Sequence, residues 1–178
     1  MSEAFFALVP IRAGDEPSLR EMLEGFDPGR AGASPFSAVP GTHVVRLTVV
    51  DSFGTRSDGR RRLHPALLSI SVLVDGPVED WLRSMAAGLG PSGDALWAHC
   101  LGWPGPGPAV TGRWLWSLRQ RMHLTVIGHP DPTVDDVRRA LDQQRALRDL
   151  AIRARTLTPK ELRVAYGEQF GATATVRV

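Results

Sequence analysis

The spacing of apolar and polar residues changes period several times in the first hundred residues, and each change marks an element. Residues 5–11 form a short apolar run closed by Arg12-Ala13-Gly14-Asp15, the pattern of a buried strand and a turn. Asp15 stands where a helix N-cap belongs, with Glu16 and Pro17 suited to the first turn. Leu19, Met22, Leu23 and Phe26 then recur at i, i+3, i+4 and i+7, one apolar stripe of an amphipathic helix that Asp27-Pro28-Gly29 stops. After a Gly-, Pro- and Ser-rich loop, residues 42–50 are β-branched almost throughout and predict a strand. Residues 52–62, with Arg60-Arg61-Arg62, predict a solvated hairpin connection to a partner strand over 67–74, which Asp75-Gly76-Pro77 closes. Val78, Trp81, Leu82, Met85 and Leu89 mark a second helix, residues 90–93 break it, and 95–101 predict a fourth strand.

Strand, helix, strand, hairpin, strand, helix, strand is the order of an α+β, ferredoxin-like βαββαβ unit, here over residues 1–104. Residues 105–178 predict a C-terminal extension packed on that unit. It comprises a helix over 110–121, a short strand over 124–127 and a long helix over 134–155, capped by Thr133 and with Val137, Leu141, Leu147 and Ala151 on its apolar side. A degenerate second repeat is the alternative reading of this part.

Composition narrows the picture. A chain of 178 residues that is 43% hydrophobic can bury a substantial core. No stretch reaches the roughly 18 to 20 apolar residues of a membrane span. The first residues carry no basic leader, and Cys100 is the single cysteine, so a cytoplasmic protein without disulfides is expected. The pI of 9.3 accompanies a net charge of only +2, and of 21 basic residues only Lys160 is lysine. A clustered basic face, which nucleic acid requires, is not indicated, so no nucleic-acid partner is expected. The preference for Arg, Ala and Gly points to a GC-rich bacterial genome.

In a ferredoxin-like unit the helices cover one sheet face and leave the other to be closed by something else. Alternation along the strands puts Arg46, Ser69, Ser71, Trp97 and His99 on that open face, with Cys100 on the helix side as an inert buried thiol. An apolar surface with a few converging polar groups is the composition of a small-molecule site. His99 is the expected general acid or base, Arg46 the stabiliser of developing negative charge, and His43 a further catalytic candidate. Trp97, Ser69, Ser71 and Trp103 are expected to bind substrate. Metal-ligand spacing is absent: His99 and Cys100 alternate in direction, and His123 and His129 are six residues apart, about 20 Å on a straight strand. A haem held by one histidine needs no spacing pattern, and His99, with Arg46 as distal or propionate partner, is the first candidate for it.

Four blocks taken together resemble a group of bacterial proteins of dimeric α/β-barrel character, some associated with haem peroxidase- or catalase-like proteins. The blocks are Leu8-Val9-Pro10-Ile11-Arg12-Ala13-Gly14, Val39-Pro40-Gly41-Thr42-His43, Asp75-Gly76 and Trp97-Ala98-His99-Cys100-Leu101-Gly102-Trp103-Pro104. The likeness spans about residues 5–155. It implies that His43 and His99 sit in family motifs, although Val44 stands where an aromatic would follow Pro-Gly-Thr-His. The leading expectation is a homodimeric, cofactor-independent oxygenase, cyclase or isomerase acting on an apolar small molecule. A haem-binding redox protein and a non-catalytic binding module are the alternatives.

Overall fold

The computed structural model describes residues 2–26, 34–54, 59, 61–123 and 132–171. The strand expected over 124–127, His129, Arg60 and the Asp27-Pro28-Gly29 stop lie outside them. The described residues form a mixed α+β structure. Strands β1 (Ser2–Pro10), β2 (Thr42–Phe53) and β3 (Arg61–Asp75) are joined by helices α1 (Glu16–Glu24), α2 (Val78–Ala98), α3 (Pro108–Ser117), α4 (Val134–Arg153) and α5 (Pro159–Phe170). Two compact units are present, Met1–Val134 and Asp135–Val178.

The sheet is antiparallel with order β1-β3-β2. Its register sets Phe5 against Val72, Ala7 against Ile70 and Val9 against Leu68, with Val45, Leu47 and Val49 of β2 opposite the same β3 residues. These side chains share one face, and α1 and α2 cover it. Leu19 of α1 and Trp81, Leu82, Met85 and Leu89 of α2 are buried there, so both predicted helical stripes pack where their period points. Arg61 and Arg62, expected in a solvated connection, open β3 opposite Phe53 and Ser52.

Among the described residues the sheet has three strands, and the fourth expected over 95–101 is instead the end of α2 and the turn after it. The backbone does break at Gly90, which has φ 48° and ψ −131°, but Pro91 then starts a further helical run. Leu89, Gly93, Leu96, Trp97 and Cys100 are the buried residues here, a helical rather than an alternating spacing. Chain does reach the free edge of β1, through single bridges from Ile11 to Cys100 and from Ala7 to Arg119.

Gly93 is where this second run meets the core. A Cβ there would stand 2.7 Å from the Cβ of Leu89 and 3.5 Å from Nε1 of Trp97. Alanine favours helix over glycine by about 1 kcal/mol, but overpacking costs about 1–3 kcal/mol. Gly93→Ala is therefore expected to destabilise the protein by about 1 kcal/mol in urea unfolding, the middle of the difference between those terms. An unchanged or raised midpoint would show that the packing at this turn is looser than described.

In the second unit, α5 begins with a capping box. Thr158 Oγ1 accepts from the Glu161 N–H, and the Glu161 carboxylate accepts from the Thr158 N–H at 2.8 Å. The apolar stripe expected on α4, Val137, Leu141, Leu147 and Ala151, is exposed, and the buried residue of that helix beyond its first is Leu150, which the stripe did not include. No helix of the described residues is long and apolar enough to cross a membrane.

Candidate functional site

Side chains that alternate away from α1 and α2 make up the second sheet face. Cross-strand rows on it run Phe6–Ser71–Arg46, Leu8–Ser69–Thr48 and Pro10–Leu67–Val50, with Leu73 against Ala4 and Val44. Arg46, Ser69 and Ser71 therefore stand together as the alternation predicts, with Thr48 beside them. Arg46, Thr48 and Ser71 are exposed, and Val44 is 50% exposed, although it lies within an apolar run. The surface is apolar at both ends, with one central polar patch. Among the described residues Arg46 has no ion-pair partner, so its charge is met by solvent.

Trp97 and His99 are not on this face, because the segment that carries them is helical. Trp97 is 1% exposed, in edge-to-face contact with Trp114, and its Nε1–H has no hydrogen-bond acceptor among the described residues. Trp103 is half-buried against the core, its Nε1–H directed at Thr111 Oγ1 at 3.5 Å. Neither indole is placed to meet a substrate on the sheet.

His99 is the C-cap of α2. Its Nδ1 is 3.1 Å from Asp15 Oδ2, and its carbonyl accepts from the Arg12 N–H at 2.9 Å. Asp15 was expected to cap α1; it makes no side-chain cap hydrogen bond, because its carboxylate is turned to His99. The pair ties the start of α1 to the end of α2. Beside it, burial pushes the Cys100 thiol up from the ordinary value of 9.0 to about 12; Arg12 opposes the shift and Asp15 adds to it. A neutral buried thiol is no nucleophile, as the alternation implied.

His43 closes the opposite end of the sheet. Its Nε2 is 2.8 Å from Asp75 Oδ1 and 3.3 Å from Ser2 Oγ, and Asp75 Oδ2 accepts from the Val134 N–H at 2.8 Å. A nucleophile relay needs serine and aspartate on different ring nitrogens, whereas here both meet Nε2. The cluster joins the start of β1, the start of β2, the end of β3 and the first residue of α4.

The three expected catalytic residues are thus dispersed. Ser2, beside His43, opens β1, and Arg12, beside His99, lies just past its other end at Pro10, so the two ends are about 30 Å apart at the usual rise. Arg46 lies between these ends, in the row of Phe6. No single small substrate spans the three.

The cavities lie elsewhere, and the sequence reading did not find them. One of about 530 Å³ lies between α1 and the start of β3, with Glu16, Glu21, Arg20, Arg62 and His64 in its wall. Another, of about 450 Å³ and mostly apolar, runs beside β2 between Val45, Leu47 and Val49 and the side chains of Leu23, Phe26 and Phe36. The alternation of β2 is the sequence signal for this groove; that β2 is an edge strand is not written locally. A haem would need a deep cavity beside its histidine, and neither His99 nor His43 lines a cavity described here. These residues do not fit that group. Among the described residues no three His, Cys, Asp or Glu side chains cluster to hold a metal ion.

Comparison with protein-family models, with curated proteins and with solved structures returns no match to this chain.

Proposed function

We propose that this chain is a binding module that works through the sheet face left uncovered by α1 and α2, with a second copy of itself as the cover. The observation that carries this reading is the composition of that face: Phe6, Leu8, Leu67 and Leu73 stand half-exposed around the Arg46–Ser71 and Thr48–Ser69 rows. Apolar surface left in a contiguous, partly exposed patch is the mark of an interaction site. The order β1-β3-β2, with α1 and α2 on one side, supports a reading as part of a ferredoxin-like arrangement, which would leave one face to close. Closed by another copy, the face would line an apolar space in which Arg46 and the serines are the polar groups. A small apolar molecule with a carboxylate or carbonyl fits those donors. The dispersal of His43, Arg46 and His99 favours binding over acid–base catalysis.

Sedimentation of the wild-type protein and of Leu8→Glu tests the proposal. The wild type is expected to be a dimer at about 100 μM and Leu8→Glu a monomer with an unchanged circular dichroism spectrum. A monomeric wild type at that concentration, or a Leu8→Glu dimer of unchanged affinity, overturns it.

A further inference from the structure

The outer edge of β2 is a second surface, which shares only Arg46 with the open face. β2 is a terminal strand of the sheet, so its outward peptide groups have no strand partner among the described residues. Natural edge strands are protected by proline, by charged side chains or by bulges. The bulges of β2 fall at its ends, between Thr42 and Val44 and between Val50 and Ser52. Between them runs Val44-Val45-Arg46-Leu47-Thr48-Val49-Val50, without proline and with one charge. This is seven residues of regular, largely apolar edge, the kind that templates another strand.

Beneath the edge lies the groove of about 450 Å³. Val45, Leu47 and Val49 form its floor at a two-residue period, and Leu23 of α1 and Phe26 just after it supply a wall. A strand laid along β2 would direct every second side chain into this groove and the alternate ones to the opposite face. Volume, period and free peptide groups thus match one kind of ligand: extended chain. The charges narrow it. Arg20, at the rim, is bound to Asp51 at 3.1 Å, whereas Arg46 has no ion-pair partner among the described residues and alternates to the face that the alternate side chains of an added strand would share.

We propose that the β2 edge takes an extended peptide segment of a partner protein as an added strand, with apolar side chains at alternate positions in the groove and an acidic side chain against Arg46. A second copy of this chain fits less well. Pairing two β2 strands symmetrically about Leu47 would set Arg46 against the partner's Thr48 and supply no carboxylate.

The test uses the whole protein and a fluorescein-labelled peptide, Ser-Val-Glu-Val-Thr-Leu-Ser, followed by anisotropy. Saturable binding in the micromolar range is expected. Replacing the peptide glutamate by lysine should weaken it about 3- to 5-fold, and Arg46→Glu should invert that preference. Methylating the peptide nitrogens that face β2 should abolish binding, since strand addition needs those donors. No saturation at millimolar peptide overturns the proposal, as does equal binding of the N-methylated peptide, which would mean adsorption to apolar surface. A homodimer that the peptide cannot dissociate and that Leu47→Asp breaks would assign the edge to a second copy instead. Leu8→Glu leaves the β2 edge and its groove intact and should still bind the peptide saturably, which separates failure here from failure of the open-face reading.

Discussion

Trp97→Ala is expected to lower the unfolding free energy by about 3–5 kcal/mol, whereas Trp97→Phe should cost under about 1 kcal/mol. Trp97 is the largest of the fully buried side chains and packs between Gly93 of its own helix and Trp114 of α3. Truncation to alanine removes the whole indole from a site that cannot collapse, because the α2 backbone on one side and α3 on the other are themselves packed. Phenylalanine removes part of that volume, but it also removes an N–H buried without an acceptor. An unmade hydrogen bond of a buried donor costs about 1–3 kcal/mol, enough to offset the smaller ring. Urea unfolding of both variants, with near-ultraviolet circular dichroism as a check on packing, measures the difference. Equal losses in the two variants would show that the indole N–H is satisfied in solution.

Alkaline pH is expected to destabilise the protein through Cys100. The thiol value rises from 9.0 to about 12 on folding, chiefly because burial disfavours the thiolate. Between these values the unfolded chain has lost the proton and the folded chain keeps it. Stability is therefore complete below about pH 9 and falls as pH rises towards 12, by about 2–3 kcal/mol at pH 11 for a shift of this size. Unfolding curves from pH 8 to 11 should show this slope in the wild type and its loss in Cys100→Ala. The same burial predicts that a disulfide reagent labels Cys100 at pH 8 only after unfolding. Rapid labelling of the folded protein, or identical pH slopes in the two proteins, would contradict the placement of this thiol.

Several features were legible in the sequence because they depend only on local period. Leu19, Met22 and Leu23 of the predicted stripe pack against the core from α1, and Phe26 packs there from the turn just after it. Alternation put Arg46, Ser69 and Ser71 on one face of β2 and β3, and the register keeps them there. Residues 95–101 were not legible. Seven partly apolar residues after a Gly-Pro break fit either a strand or a helix, and the choice followed from whether Leu96, Trp97 and Cys100 could bury together, which they do only at helical spacing. That choice moved Trp97 into the core and His99 to the end of α2.

The sequence by itself determined which side of each helix and strand is apolar, since that is a property of neighbours a few residues apart. Tertiary structure alone decided what the polar residues do. Asp15 had an N-terminal helix amide and a distant histidine to choose from, and the proximity of His99 settled it. His43 and His99 look equivalent in sequence, yet folding places them at opposite ends of the sheet, each with its own aspartate. The exposed edge of β2 exists because β3 pairs with it on one side and no described strand on the other. Pairing partners are chosen among segments far apart in the chain, and the local pattern carries no record of that choice.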